Sequence, residues 1–180
     1  MKTFEDSPGK EFLRTAGEIF VKYKDLGDKT FAQLEDKDFH FKPDGESNSI
    51  AVLIKHLSGN MISRFTDFLE SDGEKPDRNR DSEFEEDRLN RNELIGVWEK
   101  GWKVFYSAFN GLKKEDLLKK ITIRNEPHSV IEALNRQAAH YSYHLGQIVY
   151  LAKQIKKENW KTLSIPKGGS ENYNKKKFST

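Results

Sequence analysis

From Ser129 to Lys157 the chain reads SVIEALNRQAAHYSYHLGQIVYLAKQIKK, with no proline and only Gly146 to weaken a helix. Val130, Ile131, Leu134, Ala138, Tyr141, Leu145, Ile148, Val149 and Ala152 recur at helical spacing and make a wide apolar face. A helix this long with such a face must bury it against other helices, which constrains the rest of the fold. Set into the same region are His140 and His144, four residues apart, so both imidazoles project from one side of the helix one turn apart. Gln137 precedes them by about a turn and Gln147 follows. A histidine pair at i and i+4 is half of a metal site, because one helix then holds two ligands without ordering a loop. The same spacing also fits two packed or surface histidines, so other ligands must be sought elsewhere in the chain.

Those ligands are restricted in kind. There is no cysteine, which excludes disulfides, thiolate ligands and a cysteine nucleophile; a metal would have to be held by histidine, carboxylate or water. The formal charge of +2 comes from interleaved acids and bases and makes no electrostatic case for nucleic acid. Lys175-Lys176-Lys177 reads as a solvated end. Aromatic residues at 12% argue against disorder. The segment MKTFEDSPGKEF has no apolar core and no stretch approaches eighteen apolar residues, so we expect a soluble, cytoplasmic protein with no membrane partner.

Three further helices are expected. Residues 7–34 carry a helical stripe from Phe12 to Leu34, with Ser7 as N-cap and Pro8 in the first turn. The Pro43-Asp44-Gly45 turn marks 36–47 as loop, with His40 structural or exposed. A second helix runs from an Asn48 or Ser49 cap to about Glu70, with His56 at the edge of its apolar stripe beside the small or polar line Val52, Asn60 and Ser63. Residues 71–90 form a long charged loop that either covers a site or is a mobile excursion. Within it Asp81, Glu83, Glu85, Glu86 and Asp87 match no calcium-loop spacing and read as a solvated run. The third helix spans about Arg91 to Asn110, with Gly111 as its cap. Asp116 to Leu118 can add one turn. Lys120 to Arg124 alternates like a short strand, which allows a short β-hairpin before the last helix, and Asn125-Glu126-Pro127 turns the chain, with His128 placed to cap that helix or line a site mouth. Residues 160–180 read as a tail whose first part docks and whose end frays.

The sum is one all-α domain over 1–180, a four-helix bundle with one long crossover loop. Bringing His56 against His140 and His144 gives three imidazoles and an open fourth position, the catalytic rather than the structural pattern of metal ligation.

The helix order, the single histidine in helix two and the HxxxH in helix four resemble the DinB/YfiT-like four-helix bundle superfamily. Within it the likeness is to a branch of uncharacterised proteins filed as DUF1572. It is carried by IKHLSGNMISRFTDFLESDGEKP from Ile54, NEPHSVIEALNRQAAHYSYHLGQIVYLAK from Asn125 and LSIPKGGSENYN from Leu163. Asp77 departs from the aromatic residue expected there, which would alter the mouth of a site. The resemblance implies a divalent metal, zinc or nickel, on His56, His140 and His144, and a low-molecular-weight thiol such as bacillithiol as co-substrate. It implies a thiol S-transferase in which the metal makes a thiolate that attacks an electrophile, and a homodimer. Asn60, Arg136 and Gln137, each a turn from a ligand, and Arg64, two turns from His56 on the same helix, are then substrate-binding candidates. Two alternatives stay open: a metal-dependent hydrolase using a metal-bound water, for which the histidine flanks supply no carboxylate base, and a non-catalytic metal- or ligand-binding, stress-associated bundle. A wholly structural role would need three imidazoles to converge without metal, which is costly if any is charged.

Overall fold

Each long helix begins where a side chain closes its first turn. In the computed structural model, which describes residues 6–179, Ser7 caps α1 (Pro8–Phe31) by accepting from the Lys10 N–H, and Pro8 fills the first position, where no backbone donor is needed. Residues 1–5 and Thr180 lie outside the described residues, and with them the expectations for the extreme N-terminus and the last residue of the tail. The single turn α2 (Asp36–Phe39) stands where the sequence reads as loop. It is fixed by full burial of Phe39 and by the Asp38 carboxylate, which accepts from the Glu35 N–H at 2.9 Å. Ser49 caps α3 (Ile50–Phe65). Asn90 and Glu93 form a reciprocal capping box on α4 (Arg91–Gly111), and Ser129 with Glu132 does the same for α5 (Val130–Lys156).

The second helix is expected to run to about Glu70 but ends at Phe65. Thr66 leaves in an extended conformation and Asp67 adopts a φ of 47°, a left-handed state that aspartate tolerates better than most residues. The turn lets Phe68 fold back and stack on Phe65 with ring centroids 4.8 Å apart. β1 (Lys120–Ile123) and β2 (Glu126–Ser129) pair antiparallel, with Ile121 opposite His128. Their two-residue turn is Arg124-Asn125, both at positive φ, so the turn lies one residue earlier than Asn125-Glu126-Pro127 and His128 is a strand residue rather than a cap. Beyond α5, Trp160 packs half-buried against the core and the Gln33 amide brackets the Lys161 backbone at 2.8 and 3.1 Å. The end of the tail is α6 (Ser170–Phe178), helical but with no buried residue, where fraying was expected.

The chain is mostly helical with this one small sheet. α3 packs along α4, α1 along α5, and α3 also meets α5. The α3–α4 approach is close because Gly101 has no side chain: a Cβ there would lie 2.7 Å from the Ser58 Cα. Phe20, Trp102, Phe105 and Tyr141 meet edge to face in the centre, and Trp98 beside them donates to Asp28 at 2.8 Å. Among the described residues no helix is long and apolar enough to cross a membrane.

Asp72 ties the segment after α3 to the hairpin. Its carboxylate accepts from the backbone N–H groups of Glu74, Arg124 and Asn125 at 2.7–2.9 Å, and Gly73 donates to the Thr122 carbonyl at 2.8 Å. Burial opposes ionisation there, but these donors outweigh it and hold the Asp72 carboxyl down at about 2. We expect Asp72→Ala to raise amide exchange at Arg124 and Asn125 by about tenfold or more, the rate counterpart of losing hydrogen bonds of roughly 1–1.5 kcal/mol. Exchange unchanged at both amides would show that the turn holds without Asp72.

Candidate metal centre

His56 stands one and a half turns into α3, while His140 and His144 lie near the middle of α5. Packing of α3 against α5 brings the three rings together edge to face, with centroids 4.6–5.2 Å apart. The Nε2 of His140 lies 3.1 Å from the Nε2 of His56 and 3.1 Å from that of His144, and one nitrogen from each of the three rings falls within 4.8 Å of the others. Metal–nitrogen bonds of about 2.0–2.1 Å in a tetrahedral site place neighbouring nitrogens roughly 3.3 Å apart, so the two short edges are near those of a metal-bearing set.

The outer nitrogens are held in a way that fixes the tautomer. His56 Nδ1 meets Glu83 Oε2 at 3.0 Å and His144 Nδ1 meets Gln147 Oε1 at 3.3 Å. Each acceptor keeps the proton on Nδ1 and leaves the inward Nε2 lone pair free. His140 Nδ1 is buried without a partner. Burial pushes the His140 imidazole down to about 3, helped by the neighbouring His144 and His56 and by Arg64 and Arg78; burial also lowers His144. Both are therefore neutral at pH 7, the ligating form.

Glu83 is the residue that sequence reasoning missed. It belongs to the stretch read as a solvated run, and Asp81, Glu85 and Glu86 are indeed exposed. Glu83, however, sits on a short 3-10 turn (Asp81–Phe84) and is buried, with Arg78 gripping both its oxygens at 2.8 and 2.9 Å. Burial would raise its carboxyl; the hydrogen bonds from His56 and Arg78 outweigh that and keep it below its ordinary value. Room for it comes from Gly59, where a Cβ would meet Glu83 Oε1 at 2.2 Å. Phe84 from the same turn packs on the His56 ring at 4.8 Å. The 71–90 stretch therefore borders the site. The one available signal was Gly59, placed a turn after His56 on α3.

A cavity of about 320 Å³ opens beside the imidazoles, lined by His56, His140 and His144, by Asn60, Arg64, Arg136 and Gln137, and by Arg78, Arg80, Phe84 and Arg124. All four substrate-binding candidates from the sequence thus share one cavity with the histidines. Arg64 is partly committed to structure, since its guanidinium pairs with Glu74 at 2.9 Å and donates to the Gly73 carbonyl. Neither Asp77 nor His128 lines the cavity. His40 is structural, its Nε2 held by the Leu89 carbonyl at 2.8 Å. Glu132, the carboxylate nearest His140 in the sequence of α5, is used in the helix cap.

The neutral His140 makes the metal-free protein sensitive to acid. Its pKa is depressed in the fold relative to the unfolded chain, so the unfolded state binds the extra proton first. Stability is full above about pH 6.5 and falls as the pH drops towards 3. Denaturation midpoints measured for metal-free protein across that window should decline; a flat profile would mean that His140 is solvated.

No curated protein matches the chain. A family model described as "Protein of unknown function (DUF1572)" matches residues 7–169, most of the chain, and the chain therefore belongs to that family.

Proposed function

We propose that this chain is a metal-dependent thiol S-transferase built on a DinB-like helix bundle, joining a low-molecular-weight thiol of the bacillithiol type to an electrophile. The observation that carries the metal reading is the convergence of three imidazole Nε2 atoms, with the outer nitrogens of His56 and His144 each held by an acceptor. A divalent metal such as zinc or nickel on these residues would lower the pKa of a thiol bound to it and supply a thiolate at neutral pH. The protein's part is positional. Glu83 and Gln147 set the ring orientations, Arg78 holds Glu83, and Phe84 shields one face of His56. In the reaction the thiol would give its proton to bulk water, its sulfur would bond to the electrophilic carbon, and the bond from that carbon to the leaving group would break, the leaving group taking the electron pair.

The hydrolase alternative finds less support. Glu83 is the carboxylate hydrogen-bonded to the imidazole cluster, and its oxygens are already engaged by His56 and Arg78, which leaves it poorly suited to take a proton from water.

The test uses protein purified without a histidine tag. Elemental analysis should find about one zinc or nickel per chain, or uptake of one on titration. The loaded protein should then accelerate conjugation of bacillithiol or cysteine with 1-chloro-2,4-dinitrobenzene. No metal bound and none taken up would sink the metal reading; metal without conjugation of any thiol tried would leave the non-catalytic metal-binding reading in its place.

A further inference from the structure

The cavity wall beside the histidines has an unusual charge for so neutral a protein. Arg64, Arg78, Arg80, Arg124 and Arg136 all line it and no carboxylate does. Behind the wall, Glu74 pairs with Arg64, Arg78 and Arg124, and Glu83 pairs with Arg78. These two carboxylates against five guanidiniums leave a surplus of three positive charges around one cavity. Arg80 lies over the Phe84 ring at 4.8 Å, and no carboxylate among the described residues partners it or Arg136, which are both solvent-exposed at the mouth. Spending two cations this way serves no ion pair within the fold.

The buried polar groups point the same way. Asn60 is 6% exposed and Gln137 3%, and among the described residues the carbonyl oxygen of neither amide has a hydrogen-bond partner. The Nε of Arg64, a residue 5% exposed, is likewise buried and unpartnered. Buried polar groups are almost always satisfied, and three unsatisfied ones around a single cavity give a ligand entering it groups to complete. Guanidinium groups suit oxyanions through paired N–H donors, and the two amides can turn either end towards the ligand.

We propose that this cavity binds a small molecule carrying a compact dianion, either a phosphate-type group or a pair of carboxylates, held by Arg80 and Arg136 at the mouth and by Arg64, Asn60 and Gln137 at its floor. The proposal deepens the reading above by naming the chemistry of the co-substrate. It rests on that reading for the reaction, but not for the binding, which the arginines and amides provide whether or not the imidazoles carry a metal.

The experiment titrates the full-length metal-free protein calorimetrically with inorganic phosphate and, separately, with succinate, and repeats the succinate titration on zinc-loaded protein. Zinc content is measured on the same samples. Two variants accompany the wild type. Arg80→Gln/Arg136→Gln removes two exposed cations that no carboxylate among the described residues pairs with, and Gln137→Leu removes a buried amide whose oxygen has no partner among them; neither takes away a folding contact of the charge network. One anion should bind saturably to the metal-free protein, and the comparison of phosphate with succinate identifies which kind. Affinity should fall about tenfold or more in each variant, as charge-assisted or buried hydrogen bonds are lost, and should weaken as salt is raised. Absence of saturable binding of both anions to metal-free protein would overturn the proposal, and so would equal affinity in wild type and variants. Binding seen only with zinc and unchanged in the variants would also overturn it, since the anion would then sit on the metal. Anion binding by a protein that takes up no zinc would support this proposal while removing the metal reading.

Discussion

Replacing Glu83 by alanine should weaken metal binding by about 10–100-fold and destabilise the metal-free protein by about 3 kcal/mol. Two consequences follow from one deletion. His56 loses the acceptor at 3.0 Å that orients its ring and holds the proton on Nδ1, so its inward lone pair is no longer presented. Arg78, whose side chain is only 6% exposed, loses both short hydrogen bonds and keeps only Glu74 at 3.3 Å. Leaving a buried cation short of its partner typically costs about 3–5 kcal/mol, and the residual Glu74 contact places this case at the low end. Glu83→Gln separates the two effects. It keeps an oxygen for His56 Nδ1 but removes the charge from Arg78, so it should retain most of the metal affinity and lose stability. Gly59→Ala should follow Glu83→Ala in affinity, because the added methyl would occupy the space of Glu83 Oε1. Competition with a chromophoric chelator and urea denaturation read the two quantities. Equal affinity in wild type and Glu83→Ala would show that His56 needs no orienting partner.

The second large effect is expected from His140→Ala/His144→Ala. With two of three imidazoles gone, metal content should drop from about one per chain to background, since His56 alone cannot hold an ion against water. The same variant also tests the burial of His140 through its acid response. His140 is the group held down to about 3, so its removal should reduce the decline in metal-free stability between about pH 6.5 and 5, above the range in which carboxyls such as Asp72 and Glu83 take up protons, whatever packing energy the alanines cost. Retained metal in the double variant would place the ion elsewhere. A preserved acid slope would assign the pH dependence to other groups.

Residues that belong to one element were legible in the sequence. The pair His140 and His144 could be read because helical periodicity alone puts i and i+4 on one side, and His56 because it lay at the border of an apolar stripe. The caps at Ser7 and, as one of two candidates, Ser49 were readable for the same reason: the interaction closes within three residues. Glu83 was not legible. Its neighbours in sequence are charged and exposed, and its burial depends on a glycine 24 positions earlier and an arginine that reaches it across a loop. A short hairpin before the last helix was legible from the alternation of Lys120 to Arg124, but the place of its second strand was not, since EPHS has little strand character. It pairs because Arg124 and Asn125 take positive φ and Asp72 holds their N–H groups.

By itself, then, the sequence determined the four long helices, the absence of cysteine ligands and nucleophiles, and the three histidines, because periodicity and composition are local properties of the chain. Only the tertiary structure decided that one carboxylate out of five in a charged run would turn inward to His56, and that five arginines from α3, the 71–90 segment, the hairpin and α5 would surround one cavity. Both depend on charges brought together from distant parts of the chain, where burial makes each partner's presence energetically decisive.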